Sequence, residues 1–178
     1  EKEERDVPLA DVDYITFAPL PGEEEALTKA VSGGVSEPLM EFWVKKIPRL
    51  AVPRSNAGEL GLTYAELLSR NATPDRLARA LTVYEKIESS DWSAERRRRA
   101  RAGRLRLMLR QGRVEEVKPE AAKLMENSQD PRVLIEVQHV LAETAAAKLR
   151  ALLKDHPRWE QEDDVRPRRD RLYHEALD

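Results

Sequence analysis

One repeated spacing constrains this chain more than anything else in it. Ala80, Tyr84, Ile87 and Trp92 stand four, three and five residues apart, and Ala145, Leu149, Leu152 and Pro157 repeat those intervals. At 3.6 residues per turn, the first three positions of each set share one helical face. A small residue on that face lets a second helix come close, and the fourth position ends the helix. Each phrase therefore reads as the second helix of a helix-turn-helix repeat, and the expected architecture is stacked helices.

The punctuation divides the chain. Pro8, Pro19, Pro21, Pro38, Pro48 and Pro53 interrupt residues 1–60, so that stretch reads as an irregular arm with two short helices. One is expected over Glu23 to Val31, entered through Pro21-Gly22 and stopped at Gly33-Gly34. The other is expected over Leu39 to Ile47, ended by Pro48. Between them and the start of the chain, Val12, Tyr14 and Thr16 alternate as a short extended segment.

Residues 61–178 read as a helical-repeat domain. Thr63 caps a short helix through Leu68, closed by Asn71. Thr73-Pro74-Asp75 then supplies an N-cap, a proline at the first helical position and an acid in the first turn of a helix to about Ser89. Ser93 caps the next, to about Gln111, and Gly112 stops it. Pro119 would cost about 3 kcal/mol in a helix interior, which places the following start near Val117. Asp130-Pro131 opens the longest helix, to about Lys154. It has one stripe of Leu134, Val137, Leu141, Ala145, Leu149 and Leu152 and a second of Val133, Val140, Ala147 and Ala151, so it is expected to pack between neighbours. A last helix is expected from Pro167, and its pattern is unfinished at Asp178, which leaves room for the protein to continue.

These residues resemble the tetratricopeptide repeat family over about residues 74–157. The matching positions are Ala80, Tyr84, Ile87 and Trp92 in one unit, Gly112, Val117, Ala121 and Leu124 in a second, and Ala145, Leu149, Leu152 and Pro157 in a third. The intervals of 37 residues (Ala80 to Val117) and 28 (Val117 to Ala145) depart from the family's usual period. The resemblance implies a right-handed all-α solenoid with a concave groove for a peptide or partner helix, and no catalysis.

Composition sets the outer bounds. The chain has no cysteine, which excludes disulfides and thiolate chemistry, and no apolar run long enough to cross a bilayer. Its net charge of −2 conceals two opposed blocks. Residues 1–37 hold ten acids against three bases, and residues 93–113 hold nine arginines against Glu95 alone. The first residue is Glu1 rather than Met. With the missing cysteines and the proline-rich lead-in, this suggests an exported bacterial protein, with a cytoplasmic chain as the alternative.

Several constellations invite a functional reading. The helix from Arg96 to Arg110 could follow phosphates, which makes a nucleic-acid-binding domain the first alternative to a protein-interaction scaffold. Its arginines wrap the whole helix, however, so pairing with acids such as Glu85 or Glu88 is the expected state, and Arg97, Arg101 and Arg104 are candidate contacts. Glu136, His139 and Glu143 form half of a helical dimetal site, the basis of a second alternative, a metal-dependent enzyme. No second Glu-x-x-His completes it, so neither a metal nor another cofactor is expected. His156 and His174 have no nucleophile at a recognisable spacing. Glu160, Glu162, Asp163 and Asp164 lack the alternation of a calcium loop. Asn71-Ala72-Thr73 matches a glycosylation acceptor. Finally, Phe42 and Trp43 in the cluster from Leu39 to Ile47 are candidate partner anchors, and are expected to dock in cis near Leu67 and Leu81.

Overall fold

A computed structural model describes residues 7–33, 37–70 and 73–177. Among these residues the structure is all-helical, with eight α-helices and no strand. The helices are α1 (Glu23–Val31), α2 (Leu39–Lys46), α3 (Ala57–Arg70), α4 (Pro74–Ser90), α5 (Ala94–Arg110), α6 (Val114–Asn127), α7 (Pro131–Asp155) and α8 (Val165–Leu177). Helices adjacent in sequence pack on one another: α1 with α2, α2 with α3 and α3 with α4, then α6 with α7 and α7 with α8. The chain forms two compact units, residues 1–100 and 101–178, and the boundary falls within α5.

Side-chain caps explain where α4, α5 and α7 begin. The Thr73 hydroxyl accepts the Arg76 N–H at 3.3 Å, Ser93 accepts the Arg96 N–H at 3.3 Å, and the Asp130 carboxylate accepts the Arg132 N–H at 3.0 Å. Each satisfies a donor that the first turn leaves open, which is worth about 1 kcal/mol. Pro74 and Pro131 occupy first positions where the missing N–H has no cost. Gly112, at φ 79°, ends α5 in the left-handed region that residues with a Cβ avoid.

Three starts differ from expectation. Helix α3 begins at Ala57, so Thr63 lies inside it and bonds back to the Glu59 carbonyl at 3.1 Å instead of capping. Gly58 and Gly61 fall within α3, where propensity disfavours them, yet both are buried and closely packed. Helix α6 begins at Val114 with Pro119 inside it. Its first turn is held by Glu116, which Arg113 grips with two bonds of 2.9 and 2.7 Å, and by burial of Val117 beside Ala121 and Leu124. These local contacts outweigh the hydrogen bond that Pro119 removes. Helix α8 starts at Val165, two residues before Pro167, because the fully buried Val165 anchors it.

In the first unit, α2 lays Leu39, Trp43 and Lys46 on one buried face. Trp43 is 1% exposed and lies against Gly61 and Ile87: a Cβ on Gly61 would come within 2.8 Å of Trp43 Cη2 and Ile87 Cδ1. The cluster therefore docks in cis on α3 and α4, where Trp43 meets Gly61 and Ile87. Phe42 is only half-buried, near Gly22. Upstream, the extended segment makes a single parallel bridge, Ile15 to Ser55, and Asn56 accepts the Phe17 N–H at 3.1 Å. The expected looseness of Glu1 to Asp6, and the roles of Gly34, Asn71 and Ala72, lie outside the described residues.

In the second unit, α7 is buried along Val133, Val137, Val140, Thr144, Ala145 and Leu152. That line runs between the two expected stripes. Leu134, Leu141 and Leu149 are only half-covered, and Ala151 is exposed. The helix has neighbours on more than one side, as two stripes require, but what it buries is the strip that both share.

Candidate functional site

The arginine helix is held by carboxylates and carbonyls. Within the first unit, Arg96 lies 3.1 Å from Asp91, Arg97 donates to the Asp91 carbonyl at 2.7 Å, and Arg99 reaches Glu59 at 2.8 Å. Arg96 also sits over the Trp92 ring, 5.0 Å from its centroid. Within the second unit, Arg104 bonds Glu120, Arg101 lies 3.8 Å from the same carboxylate, and Arg106 bonds Glu136. The pairing with carboxylates expected of these arginines is present, with Glu120 shared by Arg101 and Arg104. Burial pushes the Asp91 carboxyl up, and its bonds to the Ser93 N–H and Arg96 offset that only in part.

Sequence reasoning missed a buried polar trio. Glu23, Lys46 and Tyr64 are each no more than 1% exposed. The Glu23 carboxylate accepts the Leu20 N–H at 2.8 Å, lies 3.0 Å from Lys46 Nζ and accepts the Tyr64 hydroxyl. Burial alone would raise this carboxyl, yet those three donors together hold it below the ordinary range. Tyr64 is pushed well above its ordinary value, by burial first and then by the neighbouring carboxylate. All three side chains are closed to solvent, and their bonds tie α1, α2 and α3 together. A signal existed: Leu39, Trp43 and Lys46 recur at the four-and-three spacing of one face, which puts a lysine in line with a buried tryptophan.

Clefts border α7 on several sides in the second unit. The first is lined by Lys118 and Met125 of α6, by Gln138, Leu141 and Ala142 of α7 and by Glu175 of α8, and encloses about 320 Å³. It is largely apolar, and Lys118 and Glu175 bond each other at 2.5 Å on its rim. Met125 is 39% exposed, and Ile135, on the same α7 face as Gln138 and Ala142, is 66% exposed.

The second cleft encloses about 300 Å³ between α5 and α7. Arg106 and Arg110 project from α5, and His139, Glu143 and Arg150 from α7. Leu109 and Val140 supply apolar wall between them. At 100° per residue, the two sets on α7 centre roughly 150° apart, so the clefts open on opposite sides of that helix.

The half dimetal motif thus falls in the charged cleft. Glu136 is engaged by Arg106, while His139 and Glu143 stay exposed, and no group of three or more potential metal ligands forms among the described residues. His156 Nδ1 pairs with Glu162, one of the four acids at 160–164, at 2.6 Å. His174 is exposed and edge-on to Tyr173, and the acceptor triplet at 71–73 is described only at Thr73.

Comparison with protein-family models, curated proteins and solved structures returns no match.

Proposed function

We propose that the chain is a non-enzymatic protein-interaction scaffold and that the cleft between α6, α7 and α8 receives an amphipathic helical segment of a protein partner. The observation that carries this reading is the apolar wall of that cleft, with Met125 on it partly in water and Ile135 exposed on the same face of α7. Exposed apolar side chains gathered at a concave site gain free energy when a partner covers them. Methionine adapts to varied surfaces at little cost. The Lys118–Glu175 pair and the Gln138 amide at the rim suit an occupant with one polar face, which favours an amphipathic helix.

The finer reading of the helices as right-handed, tetratricopeptide-like repeats belongs to the same proposal. Its support is the burial of the motif positions: Ala80, Ile87, Val117 and Ala121 are fully buried, and Tyr84, Leu124 and Ala145 nearly so.

Selection of displayed random peptides against the whole chain tests the reading. Enriched sequences should carry apolar residues at three-and-four spacing. Met125→Glu, at an already exposed position, should weaken them at least tenfold. Failure to enrich any such peptide, or enriched peptides indifferent to both Met125→Glu and Ile135→Glu, would overturn it.

A further inference from the structure

We propose that Met125 is an oxidative modification site, and that its conversion to the sulfoxide by hydrogen peroxide closes the cleft between α6, α7 and α8 to an apolar occupant. The inference rests on the reading of that cleft as a peptide site and adds its regulation. The chain has three methionines, and the structure sets them in different surroundings. Met108 is 1% exposed, and its sulfur accepts an N–H of Arg104 at 3.2 Å, so it is shielded from solvent and a lone pair is engaged. Met40 is half-buried on α2. Met125 is the most exposed of the three, at 39%, and stands on the wall of a cleft of about 320 Å³ that admits small molecules. A thioether is oxidised where peroxide can reach its sulfur, so the order of attack begins at Met125.

The step is a two-electron transfer. The Met125 sulfur attacks one peroxide oxygen, the O–O bond breaks as the S–O bond forms, and the second oxygen leaves as water after taking the proton that the first one carried. Sulfur is oxidised, peroxide is reduced, and no further reactant is needed. What changes is the wall. A flexible apolar side chain becomes a polar one whose oxygen accepts hydrogen bonds. Leu141 and Ala142 are its apolar companions in the cleft, so an apolar residue seated there would strip water from the new oxygen without replacing it. Gln138 lines the same cleft and carries a side-chain N–H donor that suits such an oxygen when no occupant is present. Oxidation therefore favours the empty, hydrated cleft over the filled one. Because enzymes reduce the sulfoxide back to the thioether, the change is a switch and not only a lesion.

The test treats the full chain with dilute hydrogen peroxide and follows it by mass spectrometry of its proteolytic fragments and by fluorescence anisotropy with an amphipathic peptide enriched by display. Met125 should gain an oxygen before Met40 or Met108 does, and affinity should then fall at least tenfold while circular dichroism stays unchanged. Methionine sulfoxide reductases for both epimers should restore it. Met125→Leu, whatever its starting affinity, should bind equally before and after peroxide, whereas Met40→Leu should show the full loss. Oxidation of Met40 or Met108 ahead of Met125, unchanged affinity once Met125 carries the oxygen, a loss of helix accompanying the loss of affinity, or an equal peroxide effect in Met125→Leu would overturn the switch and leave the peptide site standing. Failure of every enriched peptide to bind the untreated chain would overturn the site itself, and the switch with it.

Discussion

The Glu23–Lys46–Tyr64 trio shows what a single residue can cost and secure. Each polar group gives up water; Glu23 recovers it from the Leu20 N–H, the Tyr64 hydroxyl and the Lys46 charge, whereas Lys46 Nζ is compensated by its ion pair with Glu23 and not by a full set of hydrogen bonds. Protons report the arrangement. The Glu23 carboxyl is held below its ordinary value of 4.5, so its contribution to stability is present above that pH and is lost as pH falls through the folded value. Asp91, raised from 3.8, keeps its proton more readily in the folded chain and tempers that acid loss. Tyr64 is raised above 10.0, so the unfolded chain gives up this proton first and stability falls as pH climbs past that point. Urea midpoints should be nearly level from about pH 6 to 9, decline below pH 4.5 and decline again above pH 10. Tyr64→Phe should flatten most of the alkaline decline. A variant that loses stability there as steeply as the parent would show that the phenol does not govern it.

At the scale of the element, α6 contains the chain's clearest local conflict. Pro119 is its sixth residue, so the bond to the Glu115 carbonyl is missing and the proline ring crowds that turn. Pro119→Ala should therefore stabilise the protein by about 1 to 3 kcal/mol, read as a higher urea midpoint with an unchanged slope. Unaltered stability would mean that the helix has already absorbed the defect. The same helix marks how far the sequence could be read. Where an end is set locally, by a hydroxyl cap, a proline at the first position or a glycine after the last, α1, α4, α5 and α7 fall within a residue or two of expectation. Where an end is set by contacts distant in sequence, local rules mislead. Gly58 and Gly61 look like poor helix residues until Asp91, Arg96, Trp43 and Ile87 are seen pressed against them. The apolar cleft was out of reach for a similar reason, since Met125, Gln138 and Glu175 come together only once α6, α7 and α8 have packed.

For the whole molecule, opposed charge blocks suggest a strong external field, yet the structure spends much of that charge internally. Arg96, Arg99, Arg104 and Arg106 each bond a carboxylate of their own unit. Little remains to release counterions from a polyanion, so titration with duplex DNA at physiological salt should give no saturable complex. Saturable, salt-sensitive binding that is lost when Arg97, Arg101 and Arg104 are changed to Glu, with the fold intact, would restore the nucleic-acid reading.

One pattern in the first unit has a consequence in time. Several of its long-range side-chain bonds span nearly the same stretch of chain: 39 residues from Phe17 to Asn56 and from Glu37 to Arg76, 41 from Glu23 to Tyr64, 40 from Glu59 to Arg99. A ribosome must therefore add some forty residues after each early partner before the later one exists. Closing a loop of that length carries an entropic cost that only several simultaneous contacts repay. Residues 15–46 thus emerge long before they can settle, and stay open to chaperones and proteases until α3 and α4 follow them out.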